Sequence, residues 1–261
     1  MLIDLERLCS TYGIHRFGVL HIGAHEAQER EAYQNCGAQR ILWIEANPDL
    51  AARLKQQISM DQGLFAQENV LNTAVFDSDG ERIQFHVATD TQASSLLELG
   101  THRDSYPSVT NDKTIEISTK RIETLCKENE ELFQGLDFAN LDIQGAELNA
   151  LKGFGEVLNQ FQWIYTEVNR IEVYKKNGMI WEIDRLLLEH HFFRKNTVFT
   201  NAGWGDAFYV RQPDRGALST LGYRFLLQLD YLRWSIIDSA SVGWSLRVSR
   251  RIKREIKNRL P

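Results

Sequence analysis

The sequence predicts an α/β protein built on a doubly wound, mainly parallel sheet, and three observations carry that expectation. Apolar strand-like runs alternate with amphipathic helical periods from the first residues to about position 211, the pattern of βαβ units. One strand, Val19-Leu20-His21-Ile22, runs into a glycine turn, Gly23-Ala24-His25-Glu26. The next strand, Ile41-Leu42-Trp43-Ile44-Glu45, ends in a carboxylate 22 residues beyond Gly23, the spacing at which an acid reaches a ribose.

In chain order, residues 1–12 read as a helix, 17–22 as a strand, 26–36 as a helix and 40–45 as a strand. Pro48 suits the first turn of a helix over about 48–60, where a missing N–H costs nothing. Residues 66–75 read as a strand, Asp77-Ser78-Asp79-Gly80 as a hairpin turn, and 83–87 as the strand that follows it. Positions 90–112 are polar without sustained period, and so long a loop in a compact domain is usually functional. Then come a strand at 115–118, a charged helix at 121–134, strands at 137–142 and 161–168 flanking a helix at 145–153, and a helix near 179–190. Strands at about 192–199 and 206–211 close the sheet as an antiparallel pair. Pro213-Asp214-Arg215-Gly216 ends this first domain, 1–212, and leaves a helical extension, 213–261, with periods over roughly 217–236 and 242–260.

Composition is that of an ordinary globular chain of 261 residues, 43% hydrophobic and 25% charged. Cys9, Cys36 and Cys126 are odd in number and form no Cys-x-x-Cys. They argue against a disulfide framework or a zinc site and for a reducing cytosol. Asp4, Glu6 and Arg7 are at odds with a signal-peptide core, and no apolar run approaches the roughly 18 residues of a membrane span. Charge is uneven. Residues 245–261 hold seven basic side chains against Glu255, a net of +6, while the whole chain is −5, which leaves −11 for the rest.

The glycine turn lacks the further glycines of Gly-x-Gly-x-x-Gly, so no pyrophosphate cradle is present. A ribose acid without that cradle fits S-adenosylmethionine better than a nicotinamide dinucleotide. Asn140-Leu141-Asp142-Ile143-Gln144-Gly145-Ala146-Glu147 then places polar groups at the carboxyl end of a later strand, where open α/β sheets bind ligands. Glu167 ends the following strand, with Asn169 two residues on. Asp142, Glu167 and Asn169 offer oxygens for a hard cation such as Mg²⁺. Equally, Asp142 and Glu167 can hold an acceptor hydroxyl and take its proton, and Asp142 can simply cap the next helix. Glu147 is favoured at a helix start whatever its function.

These residues carry a resemblance. Val19–Glu26, Trp43–Pro48, Asn72–Asp77, Ser94-Ser95-Leu96-Leu97, Leu141–Gly153, Thr166–Asn169 and Gly203–Val210 occur in the order of the FkbM family of S-adenosylmethionine-dependent methyltransferases and cover about residues 15–212. Asp-x-Gln-Gly-Ala-Glu-x-x-x-Leu-x-Gly, at Asp142–Gly153, is the most specific of them. The resemblance implies a class I methyltransferase fold, a seven-stranded Rossmann-like sheet, and O-methylation of sugars or other small molecules. Two positions depart from the pattern. His21 stands where related methyltransferases usually carry Asp, and Ala27 replaces a frequent second Gly.

Residue by residue, His21, Gly23, Ala24, His25 and Glu26 are expected around the methionine part of the cofactor. Glu45, with Ala46 and Asn47, is expected at the ribose, Asn72 and Ala74 at the adenine, and Asp142 and Gln144 nearest the sulfonium. Ser94, Ser95, His102 and Arg103 of the 90–112 loop, together with Asn169, are expected at the acceptor, a glycan or other small molecule. Two other classes stand beside this one: a cofactor-binding interaction module without catalysis, and an oxidoreductase on a similar sheet. In the tail, Leu246, Ile252, Ile256 and Leu260 fall near one helical stripe among arginines and lysines. Such an amphipathic helix reads as a peripheral contact with the inner face of a membrane, or as packing on the domain or on a second subunit of a homo-oligomer. Nucleic acid is not expected, because the acidic body would be repelled from phosphates.

Overall fold

A computed structural model describes residues 1–61, 63–88, 94–97, 111–216 and 218–236. The chain divides into two compact units, Met1–Pro213 and Asp214–Pro261.

The first unit holds a seven-stranded sheet of β1 (Gly18–Ile22), β2 (Arg40–Glu45), β3 (Gln67–Asn72), β7 (Phe138–Leu141), β8 (Trp163–Asn169), β9 (Phe192–Phe199) and β10 (Trp204–Arg211). Their order is β3-β2-β1-β7-β8-β10-β9. Strands β3, β2, β1, β7 and β8 run parallel, and β10 is antiparallel to both of its neighbours. The strand order reverses between β1 and β7, and the carboxyl ends there form the crevice in which such sheets place ligands. This is the class I methyltransferase arrangement that the sequence predicts. All five residues of β1, all four of β7 and the last five of β2 are buried, as strands covered on both faces must be.

Helices cover the sheet for legible reasons. In α1 (Leu5–Tyr12), the Asp4 carboxylate accepts from the Arg7 N–H at 3.0 Å, and Gly13 closes the helix in the left-handed region. In α3 (Pro48–Met60), Pro48 takes the first turn while the Asn47 side chain accepts from the N–H groups of Asp49 and Leu50. Each cap stabilises its helix by about 1 kcal/mol. Helices α6 (Glu147–Gly153) and α7 (Ile180–Glu189) follow β7 and β8.

Four elements differ from the sequence reading. The helix expected over 26–36 is α2, Arg30–Asn35, because His25 and Ala27 take φ of 46° and 54°, which no right-handed helix contains. The strand expected over 66–75 is cut at Thr73. Its first part joins the main sheet, while β4 (Ala74–Val75) enters a separate three-stranded sheet. Asp77–Gly80 does not make a hairpin between adjacent strands. In the small sheet, β6 (Asn111–Lys120) lies between β4 and β5 (Arg82–Ala88). The turn is tied to the end of β6 instead: the Asp79 carboxylate accepts from the Arg121 N–H and the Thr124 hydroxyl, and Gly80 N–H donates to the Thr119 carbonyl. Lastly, the helix expected over 121–134 is two, α4 (Ile122–Glu128) and α5 (Glu130–Phe133). They break at Asn129, whose side-chain amide donates to the Leu125 carbonyl at 3.0 Å.

In the second unit, residues 218–236 form one helix, α8, and the Arg215 guanidinium lies 5.5 Å from the Tyr223 ring centre. No helix among the described residues is long and apolar enough to cross a membrane. The basic amphipathic segment at 245–261 lies outside the described residues.

Candidate active site

At the carboxyl ends of β1, β2, β7 and β8 lies a cleft of about 480 Å³, within the range of small-molecule sites. Gly23 closes β1 with φ of 91°. A Cβ there would stand 1.9 Å from the Asp142 carbonyl oxygen. Glycine is therefore required twice, for its conformation and for the close approach of β1 to the end of β7.

The left-handed turn after Gly23 aims the His25 N–H at Glu45. One Glu45 oxygen accepts that N–H at 2.8 Å and the other accepts the Asn47 N–H at 2.7 Å. Burial raises the pKa of this carboxyl, and the two N–H bonds oppose the rise. Ala27, the departure from the usual glycine, holds a glycine-like φ of 54°, so the backbone keeps that conformation without the glycine. Asn72 donates to the carbonyls of Glu45 and Ala46 at 2.8 and 3.2 Å, which fixes the strand end. Beside Glu45 the wall is apolar, with Ile44, Leu50, Ala74, Val75 and Phe85.

His21, the other departure, is 2% exposed and lines the cleft. The Tyr33 hydroxyl lies 3.0 Å from its Nδ1, and the Asn140 amide donates to that hydroxyl at 2.6 Å. The ring tilts against Trp43 with centres 4.9 Å apart. Burial lowers its pKa, which favours the neutral imidazole.

Opposite stands a hydrogen-bonded hub at Gln144. Its Nε2 donates to Asp142 at 2.6 Å and to Glu167 at 3.0 Å. Its Oε1 accepts the Tyr174 hydroxyl at 2.6 Å, and that bond fixes which way the amide faces. Its backbone carbonyl accepts the Ser95 hydroxyl at 2.7 Å. Gln144 holds all of this at φ of 56°, a conformation that is uncommon outside glycine and is kept where surroundings over-determine it. Gly145 follows at φ of 101° with Tyr174 packed against it.

Four carboxyls, those of Asp142, Glu147, Glu167 and Asp206, crowd this end of the cleft. Burial pushes Asp142 up to about 6, helped by Asp206 and Glu29. Glu147 is pushed up to about 8, chiefly by burial, although it accepts the N–H groups of Ile143 and Gly145 at 2.9 and 3.1 Å. Burial also raises Glu167 well above the usual carboxylate range, with Glu147, Asp142 and Asp206 adding to it. Like charges so close do not all ionise at neutral pH. Asp206 faces Glu167 across the β8–β10 pair. It accepts the Tyr165 hydroxyl and the Leu2 N–H, which brings Met1 and Leu2 to the cleft wall.

Of the residues expected at the site, His21, Gly23, His25, Glu45, Ala46, Ala74, Ser94, Asp142, Gln144 and Glu167 line the cleft. Ala24, Glu26, Asn47, Asn72, Ser95 and Asn169 do not. Ser95 is 2% exposed and ties the 94–97 segment to Gln144, where the sequence reading expected it to face the acceptor. Asn169 donates to Glu167 at 3.4 Å. His102 and Arg103 lie outside the described residues. The cation cluster of Asp142, Glu167 and Asn169 is not assembled. The Gln144 amide stands between the two carboxyls, and no three His, Cys, Asp or Glu side chains are grouped to hold a metal ion among the described residues. Gln28, Glu29, Thr73, Phe85, Tyr174, Trp204 and Asp206 line the cleft without having been expected there. Asp206 and Trp204 sat in a motif already singled out, but nothing local marked them as facing β8.

The family model for the methyltransferase FkbM domain matches residues 21–194. The chain belongs to the FkbM methyltransferase family. It is 27% identical over 165 residues to the 2-O-methyltransferase NoeI of Sinorhizobium fredii, covering 60% of this chain and 65% of that one. The chain thus spans just under two thirds of that curated relative. Among solved structures, the magnesium protoporphyrin IX methyltransferase of Synechocystis, with S-adenosylmethionine bound, is 11% identical with a TM-score of 0.45, covering 80% of this chain and 76% of that one. A methyltransferase of Aquifex aeolicus is 11% identical with a TM-score of 0.43, covering 81% and 91%. For this FkbM chain the fold assignment rests on the strand order described above.

Proposed function

We propose that this protein is an S-adenosylmethionine-dependent O-methyltransferase acting on a hydroxyl of a sugar, glycan or other small neutral molecule. The observation that carries the proposal is the pairing of two unlike ends in one cleft. At one end Glu45 is held by two N–H groups beside an apolar wall; at the other, Asp142 and Glu167 share the amide of Gln144.

The residues present fit the cofactor. Glu45 presents an acceptor for ribose hydroxyls, Ile44, Leu50 and Val75 suit an adenine, and neutral His21 with the Gly23 turn lines the place for the amino-acid part. When bound, S-adenosylmethionine supplies an electrophilic methyl group carried on a sulfonium. The chain supplies alignment and proton removal. Asp142, with its pKa near 6, is largely ionised at neutral pH and suited to take the proton of an acceptor hydroxyl. Glu167, beside it across the Gln144 amide, is also raised by burial and by its carboxyl neighbours, which disfavours a second negative charge there. Through Tyr174 and Gln144, the Asp142 carboxylate is held in one orientation. A neutral, hydroxyl-rich acceptor suits a floor of carboxyls flanked by Trp204, whereas an anionic one would be repelled. The printed name of the curated relative, a 2-O-methyltransferase, supports a hydroxyl acceptor. The free thiols of Cys9, Cys36 and Cys126 suit a cytoplasmic location.

Calorimetry of the full chain with S-adenosylhomocysteine and, separately, NADH tests the cofactor. Binding of NADH alone would overturn the assignment. Methyl-labelled S-adenosylmethionine incubated with glycan and lipid extracts then tests catalysis. Label in an alkali-stable ether is expected. Cofactor binding without transfer into any extract would leave the non-catalytic module.

A further inference from the structure

Helix α8, residues 218–236, carries an apolar stripe that faces outward. Leu218, Leu221, Phe225, Leu229 and Leu232 recur at steps of 3, 4, 4 and 3 residues, and so fall within one narrow band of a 3.6-residue helix. They are 86%, 65%, 65%, 47% and 60% exposed, and Leu226 beside them is 60% exposed. Elsewhere on the same helix Tyr223 and Leu227 are buried. The stripe is therefore one exposed face of the helix, on the side away from Tyr223 and Leu227. Soluble monomers rarely leave so continuous an apolar surface uncovered.

We propose that this face of α8 docks the protein on an anionic phospholipid bilayer, lying in the interface plane and not across the membrane. Two observations point to an anionic lipid surface. First, Arg224 and Arg233 flank the stripe, and such long cationic side chains reach to the headgroup level beside an apolar face. Second, the charge of the chain is divided along its length. The sequence that follows ends in 245–261 with a net charge of +6, against −11 for the remainder. An anionic surface attracts this end alone, each nearby Lys or Arg adding to the attraction. Arg224, Asp230 and Arg233 keep α8 from burying deeply, and no described helix is apolar enough to span. The inference stands independently of the methyl-transfer reading.

Vesicle flotation of the full chain tests it, with phosphatidylcholine alone compared with phosphatidylcholine containing about a quarter phosphatidylglycerol. The expected result is at least tenfold greater recovery with the anionic vesicles. The combined variant Leu221→Glu/Phe225→Glu/Leu229→Glu should return recovery to the neutral-vesicle level with unchanged circular dichroism. Should that variant misfold, Leu221→Gln/Phe225→Gln/Leu229→Gln provides the same comparison without added charge. The proposal is overturned if the wild type does not float, or if the folded variant floats as well as the wild type, which would assign binding to the basic segment alone. It is equally overturned if light scattering shows a dimer that the variant splits and vesicles do not compete for.

Discussion

Replacing Gln144 with glycine removes the amide that joins Asp142 to Glu167 while leaving a residue at ease at φ of 56°. Three hydrogen bonds disappear: 2.6 Å to Asp142, 3.0 Å to Glu167, and 2.6 Å from the Tyr174 hydroxyl. A hydrogen bond to a charged group contributes about 1.5–3 kcal/mol. At about 1.4 kcal/mol per pKa unit, its loss raises Asp142 by about 1–2 units. From its starting value of about 6, the carboxyl then titrates at about 7–8. The sign is fixed by the role of base, which requires the ionised form, so activity falls on the acid side. At pH 7 the ionised fraction drops from about nine-tenths to between a half and a tenth, a loss of about two- to tenfold in kcat/KM that is recovered near pH 9. The assay is the pH dependence of methyl transfer to the acceptor found in the extract screen, with carboxyl infrared bands of the wild type and variant as a check that needs no acceptor. An acid limb that stays where it is in the wild type would refute the hub. A loss of activity equal at every pH in a folded protein would assign Gln144 to substrate contact instead.

Three further outcomes are expected. Glu45→Ala should weaken S-adenosylhomocysteine binding by about 1.5–3 kcal/mol, roughly 10- to 100-fold, because a charge-assisted contact is lost; unchanged affinity by calorimetry in a folded variant would remove the ribose assignment. Asp142→Asn should nearly abolish turnover while cofactor binding survives, since it keeps volume but not basicity; normal turnover would exclude Asp142 as the base. Glu147 holds its proton up to about pH 8 when folded, against an ordinary value of 4.5. The stability this contributes is complete below about 4.5 and lost as pH rises through 8. The denaturation midpoint of the cofactor-free chain should therefore fall between pH 5 and 8, and Glu147→Gln, which keeps an acceptor for Ile143 and Gly145, should flatten that fall. Parallel slopes in the two proteins would show that Glu147 ionises normally.

What the sequence alone determined are the features made by near neighbours along the chain. Strand–helix alternation placed the seven strands, Asn47 and Pro48 marked the start of α3, and Gly23 with Glu45 marked the two strand ends that border one end of the cleft. Each depends on a side-chain period, or on a cap reaching two or three residues, and such patterns are written in the order of residues. Even the carboxyls at Asp142 and Glu167 were legible, because each lies at the end of an apolar strand. Only the tertiary structure decided how these groups are used. Gln144 becomes a hub because Tyr174, thirty residues on, and Ser95, forty-nine back, reach it from other elements. Asp206 enters the cleft because β10 is inserted antiparallel between β8 and β9 and lays it opposite Glu167. The turn at Asp77–Gly80 looks like a hairpin in sequence, yet β6 takes the place between its two strands. The physical reason is the same in all three cases. A hydrogen bond between distant residues depends on which strands pair and in what register, and that choice is made by burying the whole apolar surface at once rather than by any short stretch of chain.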